Sequence, residues 1–255
     1  MAGVLRSLFL CCLICHFAMG AHAQQAGVAD FRSAQFASPR VSAAWNKYSD
    51  TLRKAFARKN LAWPAADVYI RAFKSQNEME LWARNTGDAE YKLVKTYRIC
   101  AVSGSLGPKR TQGDRQIPEG FYFIDEFNPK SDYLLSLLIN YPNYSDEALG
   151  KGRLGGDIYI HGGCVTVGCM PMTNEGIEEI YTACLGAKLG GQEYIPVHIF
   201  PTRMNKTGIN YLILQYANNT EQQQFWAGLK AGYDYFEKNH KLLPVMYAPD
   251  GNYVN

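Results

Sequence analysis

From Asp67 onward the apolar residues stop recurring at helical spacing and fall into short runs bounded by turn signals. Val68 to Phe73, Glu80 to Arg84 and Tyr91 to Val102 are such runs, separated by Gln76-Asn77 and by Asn85-Thr86-Gly87-Asp88. Runs of this kind read as strands, and short polar connections make successive strands antiparallel. Further strand-like runs lie at Phe121 to Phe127, Leu134 to Tyr141, Ile158 to Ile160, Ile195 to Phe200 and Asn210 to Tyr216. Two glycine-rich loops, Ser103 to Gly113 and Gly150 to Gly156, interrupt the series. With no internal repeat, the pattern predicts one mostly β (α+β) core.

Helical signals stand at both ends and once in the middle. Ser38-Pro39 is a helix start, and Trp45, Tyr48, Leu52 and Phe56 follow as one apolar stripe. Thr173 is placed to cap a second helix running to about Leu185. Thr220-Glu221-Gln222-Gln223 is a capping box, opening a third helix that buries Phe225, Trp226, Leu229, Tyr233 and Phe236. The expected division is a leader over 1–23, an N-terminal helical extension over 24–65, a catalytic-type domain over 66–218, and a C-terminal helix and tail over 219–255.

The first residues have the order of an export signal. Arg6 precedes an apolar run from Ser7 to Met19, and Ala21-His22-Ala23 is a small-x-small cleavage site. The run is short of the roughly 20 residues a membrane-spanning helix needs, and no later segment is apolar enough to cross. The expectation is a periplasmic protein with no membrane span after cleavage. The formal net charge of +3 is too weak to argue for nucleic acid. Cys100, Cys164, Cys169 and Cys184 follow the leader. In an oxidising compartment they can pair, and both a Cys100–Cys184 bridge and a Cys164–Cys169 redox pair stay open.

The chemistry concentrates in His161-Gly162-Gly163-Cys164-Val165-Thr166-Val167-Gly168-Cys169. A thiol attacks a carbonyl as its thiolate, and a neighbouring imidazole is the usual means of deprotonating it. Cys169 is the expected nucleophile and His161 the proton donor and acceptor. Gly162 and Gly163 let the backbone turn tightly beside the substrate, and the N–H of Gly168 is a candidate oxyanion donor. Arg153, just before the active strand, is a candidate to bind substrate carboxylates, and Tyr122 is a candidate to line the groove.

This stretch resembles the signature of the L,D-transpeptidase catalytic domain (YkuD-type) family. His161-Gly162 matches the family's His-Gly, and Thr166-Val167-Gly168-Cys169 stands where Ser-His-Gly-Cys occurs. The resemblance covers roughly Val68 to Arg203 and is similar to the YafK-like periplasmic branch. Ser103-Gly104, Gly107-Pro108-Lys109, Gly113-Asp114, Pro118-Glu119-Gly120-Phe121-Tyr122, Met172-Thr173 and His198-Ile199-Phe200-Pro201 carry it further. Two departures stand out: Val167 replaces a histidine two places before the nucleophile, and the loop between the motif halves is shorter.

The resemblance implies an L,D-transpeptidase-like β-sandwich with flanking helices and no cofactor. It implies a cysteine acyltransferase or hydrolase acting on peptidoglycan stem peptides. Cys169 forms a thioester at an L-configured diamino-acid carbonyl, and wall-linked lipoprotein, another amine or water accepts the acyl group. Thr166 and His198 join the substrate-binding candidates, His198 as a partial replacement for the absent histidine. Two alternatives remain: a zinc site built from His161, Cys164, Cys169 and Cys184 or His198, and a wall-binding domain without catalysis.

Overall fold

The computed structural model describes residues 27–254. The leader and its cleavage site lie outside the described residues. A first helix, α1, covers 27–36, followed by α2 (Pro39–Ala57), β1 (Asp67–Phe73), β2 (Glu78–Arg84), β3 (Lys92–Arg98), β4 (Gly120–Asn128) and β5 (Ser136–Ile139). Then come α3 (Tyr144–Leu149), β6 (Tyr159–His161), β7 (Met170–Pro171), α4 (Asn174–Leu189), β8 (Pro196–Phe200), α5 (Lys206–Gln215) and α6 (Thr220–Asn239).

The fold class is α+β. The eight strands form one curled sheet in the order β3-β2-β1-β8-β4-β5-β6-β7. β1, β2 and β3 make the antiparallel meander that the run spacing predicts, while β8 inserts parallel to β1. β4 joins the two halves: Gly120 to Phe123 pair with β8, and Ile124 to Asn128 pair with β5 across a register shift. β6 pairs antiparallel with β5 and parallel with the two-residue β7.

Both faces of the sheet are covered. One carries a large core that takes in Val41, Ala44, Leu52 and Phe56 of α2 and Ile177, Ile180, Tyr181 and Leu185 of α4. The other packs Phe73, Phe121 and Phe200 against Leu212 of α5 and Phe225, Trp226, Leu229 and Tyr233 of α6. This is why β1 is buried along almost its whole length and its sequence does not alternate. Among the described residues no helix is long and apolar enough to cross a membrane.

Three local expectations change. The run from Asn210 to Tyr216 falls in α5 and its C-cap, not in a strand. Asn205 caps it by accepting the Gly208 N–H at 3.0 Å, and Ile209, Leu212 and Tyr216 face the second core at helical spacing. Tyr211, Ile213 and Leu214 are exposed, and these solvent-facing apolar residues produced the apparent strand. At α6 the cap is Asn219, one residue before the expected Thr220, and its side chain accepts from Gln222 N at 3.1 Å. Ser38 does occupy the N-cap position of α2, but its hydroxyl makes no cap bond and donates to Pro129 O at 3.3 Å instead.

Candidate active site

His161 ends β6, and Cys169 immediately precedes β7. Ile160 pairs with Met170 and His161 with Pro171, so the parallel register sets Cys169 beside Tyr159. Residues two apart on a strand point to the same face, which turns Tyr159 and His161 toward the side that Cys169 reaches. Both His161 and Cys169 line one cavity of about 260 Å³, whose wall also includes Lys130, Asp132, Tyr133, Ser136 and Tyr159.

The imidazole of His161 is held on two sides. Its Nδ1 lies 2.7 Å from Gly162 O; a carbonyl only accepts, so Nδ1 carries the hydrogen and Nε2 keeps its lone pair. The Tyr133 ring lies against the His161 ring, with centroids 4.6 Å apart and planes at 34°. His161 is only 3% exposed, and burial holds its imidazole below the ordinary value.

Cys169 is half-buried. Its sulfur accepts the Tyr159 N–H at 3.5 Å and lies 3.6 Å from Asp157 O. Burial pushes the thiol up from its ordinary value, while the Tyr159 N–H pulls the other way. Both shifts favour the neutral forms, thiol and imidazole.

The loop between the two is braced by its own polar groups. Thr166 Oγ1 donates to Cys169 O at 2.7 Å and accepts the Gly168 N–H at 3.2 Å. Thr166 thus shapes the turn that carries Cys169, and the Gly168 N–H named as an oxyanion donor is already engaged. Gly168 itself is at φ +120°, where a Cβ would stand 3.1 Å from Gln116 O, so a side chain there is strained by its backbone and crowded by its neighbour. Gly162 donates to Tyr133 O at 3.1 Å, and a Cβ on it would come within 2.6 Å of that same oxygen. Gly163 donates to Asn174 Oδ1 at 3.1 Å, tying the loop to the start of α4.

Cys164 is bonded to Cys100, with Cα atoms 5.4 Å apart. This replaces both pairings left open by the sequence: Cys184 is a free thiol sealed inside α4, and Cys169 is free. The donors named for a zinc shell are consequently dispersed. Among the described residues no three His, Cys, Asp or Glu side chains come together as metal ligands.

Three other candidates stand away from the cavity. Tyr122 is buried and donates to Asp146 Oδ2 at 2.8 Å; it fastens β4 to α3 rather than lining a groove. His198 is buried on β8, its Nδ1 3.0 Å from the Tyr69 hydroxyl and its ring 4.4 Å from that of Phe121. Aromatic rings surround it, and it is not among the residues lining the cavity of His161 and Cys169, so it is not placed to replace the absent histidine. Arg153 is exposed, and its carbonyl accepts the Gln112 N–H at 2.7 Å, joining the two glycine-rich loops. Tyr133 and Tyr159 are site residues that the sequence reading did not name. Tyr159 was findable, since it lies two places before His161 on the same strand; Tyr133 sits in a loop and carries no periodic signal.

The family model of the L,D-transpeptidase catalytic domain (YkuD) matches residues 67–199. Over 189 residues the chain is 41% identical to the "Putative L,D-transpeptidase YafK" of Escherichia coli (strain K12), covering 73% of each protein. Among solved structures it is similar to the helical cell shape determining protein Pgp2 from Campylobacter jejuni, with TM-score 0.43 and 16% identity over 71% of this chain and 73% of that one. Bdellovibrio bacteriovorus Bd1075 gives TM-score 0.38 and 21% identity over 68% and 60%.

Proposed function

The chain belongs to the L,D-transpeptidase catalytic-domain family, and from that premise we propose that it transfers or hydrolyses peptidoglycan stem peptides through a thioester on Cys169. The observation that carries the reading is the shared cavity of Cys169 and His161, with Nδ1 of the ring committed to Gly162 O and Nε2 left to handle protons.

The thiol and imidazole rest neutral, so the proton moves as the bond forms. Cys169 Sγ attacks the carbonyl of an L-configured diamino-acid centre while Nε2 takes the thiol proton. With the Gly168 N–H committed to Thr166, we assign the oxyanion to the Cys169 N–H. Nε2–H then protonates the leaving amine, and the thioester remains. Water or an incoming amine, deprotonated by Nε2, attacks it and returns the thiol. We favour hydrolysis or exchange over new cross-links, with wall-linked lipoprotein as one substrate whose amine is the leaving group.

We further infer that the chain works outside the cytoplasm. The Cys100–Cys164 bond supports this, because such structural disulfides persist in oxidising compartments. The test incubates wild type, Cys169→Ala and the double variant Cys100→Ser/Cys164→Ser with defined muropeptides, with and without wall-linked lipoprotein. Products and acyl adducts are identified by mass. Turnover and an adduct mapped to Cys169, both absent in Cys169→Ala, are expected; turnover that survives Cys169→Ala overturns the reading.

A further inference from the structure

Three side chains at the α1–α2 junction reach across to the backbone that leaves β4 and becomes a wall of the active-site cavity. Gln35 Nε2 donates to Phe127 O at 3.2 Å. Ser38 Oγ donates to Pro129 O at 3.3 Å. Arg40 Nη1 donates to Ser131 O at 2.7 Å and to Leu134 O at 3.1 Å. Each anchor grips a point further along the same segment. All three precede residue 67, where the match to the catalytic-domain family begins.

The last anchor lies nearest the chemistry. The two carbonyls that Arg40 holds bracket Tyr133, whose ring lies on that of His161 and whose own carbonyl accepts the N–H of Gly162. Leu134 sits at φ +73°, a left-handed conformation that a leucine keeps only where its surroundings over-determine it. Arg40 is also poorly placed for the helix that carries it. It falls in the first turn of α2, which holds no acidic residue, and a cation there opposes the helix dipole. Breaking a local preference of this kind points to a demand elsewhere in the structure.

We propose that Arg40 is a positioning residue for the active site: the α1–α2 junction clamps the 129–134 loop so that Tyr133 keeps the His161 ring in its working orientation. The proposal rests on the acyl-transfer reading above. It makes the N-terminal helices part of the catalytic apparatus rather than an appendage, and it means that the family-matching segment alone lacks one support of its own histidine.

The experiment compares wild type, Arg40→Ala and Arg40→Lys in the full chain by three measurements: kcat and KM on a defined muropeptide, thermal midpoint, and NMR titration of the His161 ring, assigned against His161→Gln. Misplacing a reacting group by about 1 Å can cost 10²-fold, so Arg40→Ala is expected to lose at least about tenfold in kcat with a smaller change in KM. Its His161 titration should move up toward the ordinary imidazole value as Tyr133 ceases to shield the ring. Arg40→Lys, which still reaches one carbonyl, should recover most of both. A merely structural staple would lower the thermal midpoint and leave the titration where it was. An unshifted His161 titration in both variants overturns the proposal, whatever happens to stability. If wild type itself gives neither turnover nor a Cys169 adduct, the acyl-transfer reading fails, and the titration still decides on Arg40.

Discussion

The disulfide from Cys100 to Cys164 ties the loop carrying Cys169 to the chain just beyond β3. One end of the Cys169 loop is thereby covalently fixed, while Thr166 braces the other through its bonds to Gly168 and Cys169. Cys169 is the unbonded thiol of the loop, and among the described residues the other free thiol, Cys184, is sealed in the core.

Removing that bond is expected to cost stability more than chemistry. It closes a loop of 64 residues, for which chain entropy predicts roughly 4 kcal/mol. Cys100→Ser/Cys164→Ser should therefore lower the unfolding free energy by up to about that amount, measured by denaturant titration. In native wild type, labelling mapped by mass should find Cys169 reacting fast and Cys184 only on unfolding; fast labelling at Cys184 would contradict its burial.

The shifts of Cys169 and His161 have a signature in pH. Because burial pushes the Cys169 thiol up, alkylation by iodoacetamide should have its midpoint above the ordinary thiol value of about 8.5. Because burial holds His161 down, the base stays unprotonated to lower pH than usual. The acidic limb of kcat/KM should accordingly lie below the ordinary imidazole value of about 6.5. An alkylation midpoint in the acidic range would instead reveal a preformed thiolate–imidazolium pair.

Thr166 offers a test of the loop brace. Thr166→Val keeps the shape but loses the hydroxyl that serves both Gly168 N–H and Cys169 O. Leaving buried polar groups without partners costs about 1–3 kcal/mol, so a drop of that order in stability is expected, with a larger relative fall in kcat than in KM. Thr166→Ser retains the hydroxyl and should behave as wild type; loss in Thr166→Ser with none in Thr166→Val would show that the methyl group matters rather than the hydrogen bonds.

His198 should govern acid stability and not substrate affinity. Burial lowers its imidazole to about 3, so between about 6.5 and about 3 the unfolded chain binds a proton that the folded chain refuses. Its neutral form therefore contributes stability above about 6.5 that drains away as pH falls, by at most about 1.4 kcal/mol per unit. His198→Gln should be less stable than wild type near neutrality, with a deficit that narrows on acidification, while KM for muropeptide stays unchanged. A raised KM would place His198 at the substrate after all.

Much of the sheet was legible from local pattern. The runs at 68–73 and 80–84 are strands because their residues are apolar and their connections are turns, and both facts are local. The same logic misread 210–216, where exposed Tyr211, Ile213 and Leu214 imitated alternation and only the packing of Leu212 and its neighbours on the second core showed a helix. Tyr122 and His198 were misplaced for a related reason. A sequence shows that a side chain is polar or aromatic but not which layer of the sheet it enters, and both entered the interior.

The chemistry available was already present in the residue order: one histidine and two cysteines within nine positions, with glycines between them. Adjacency along the chain survives folding, so that cluster needed no tertiary information. Which cysteine stayed free was decided only by the fold, since Cys100 is 64 residues from its partner and nothing local brings them together. The hold of Arg40 on the loop around Tyr133 spans more than ninety positions, and such contacts exist only once helices and sheet have packed.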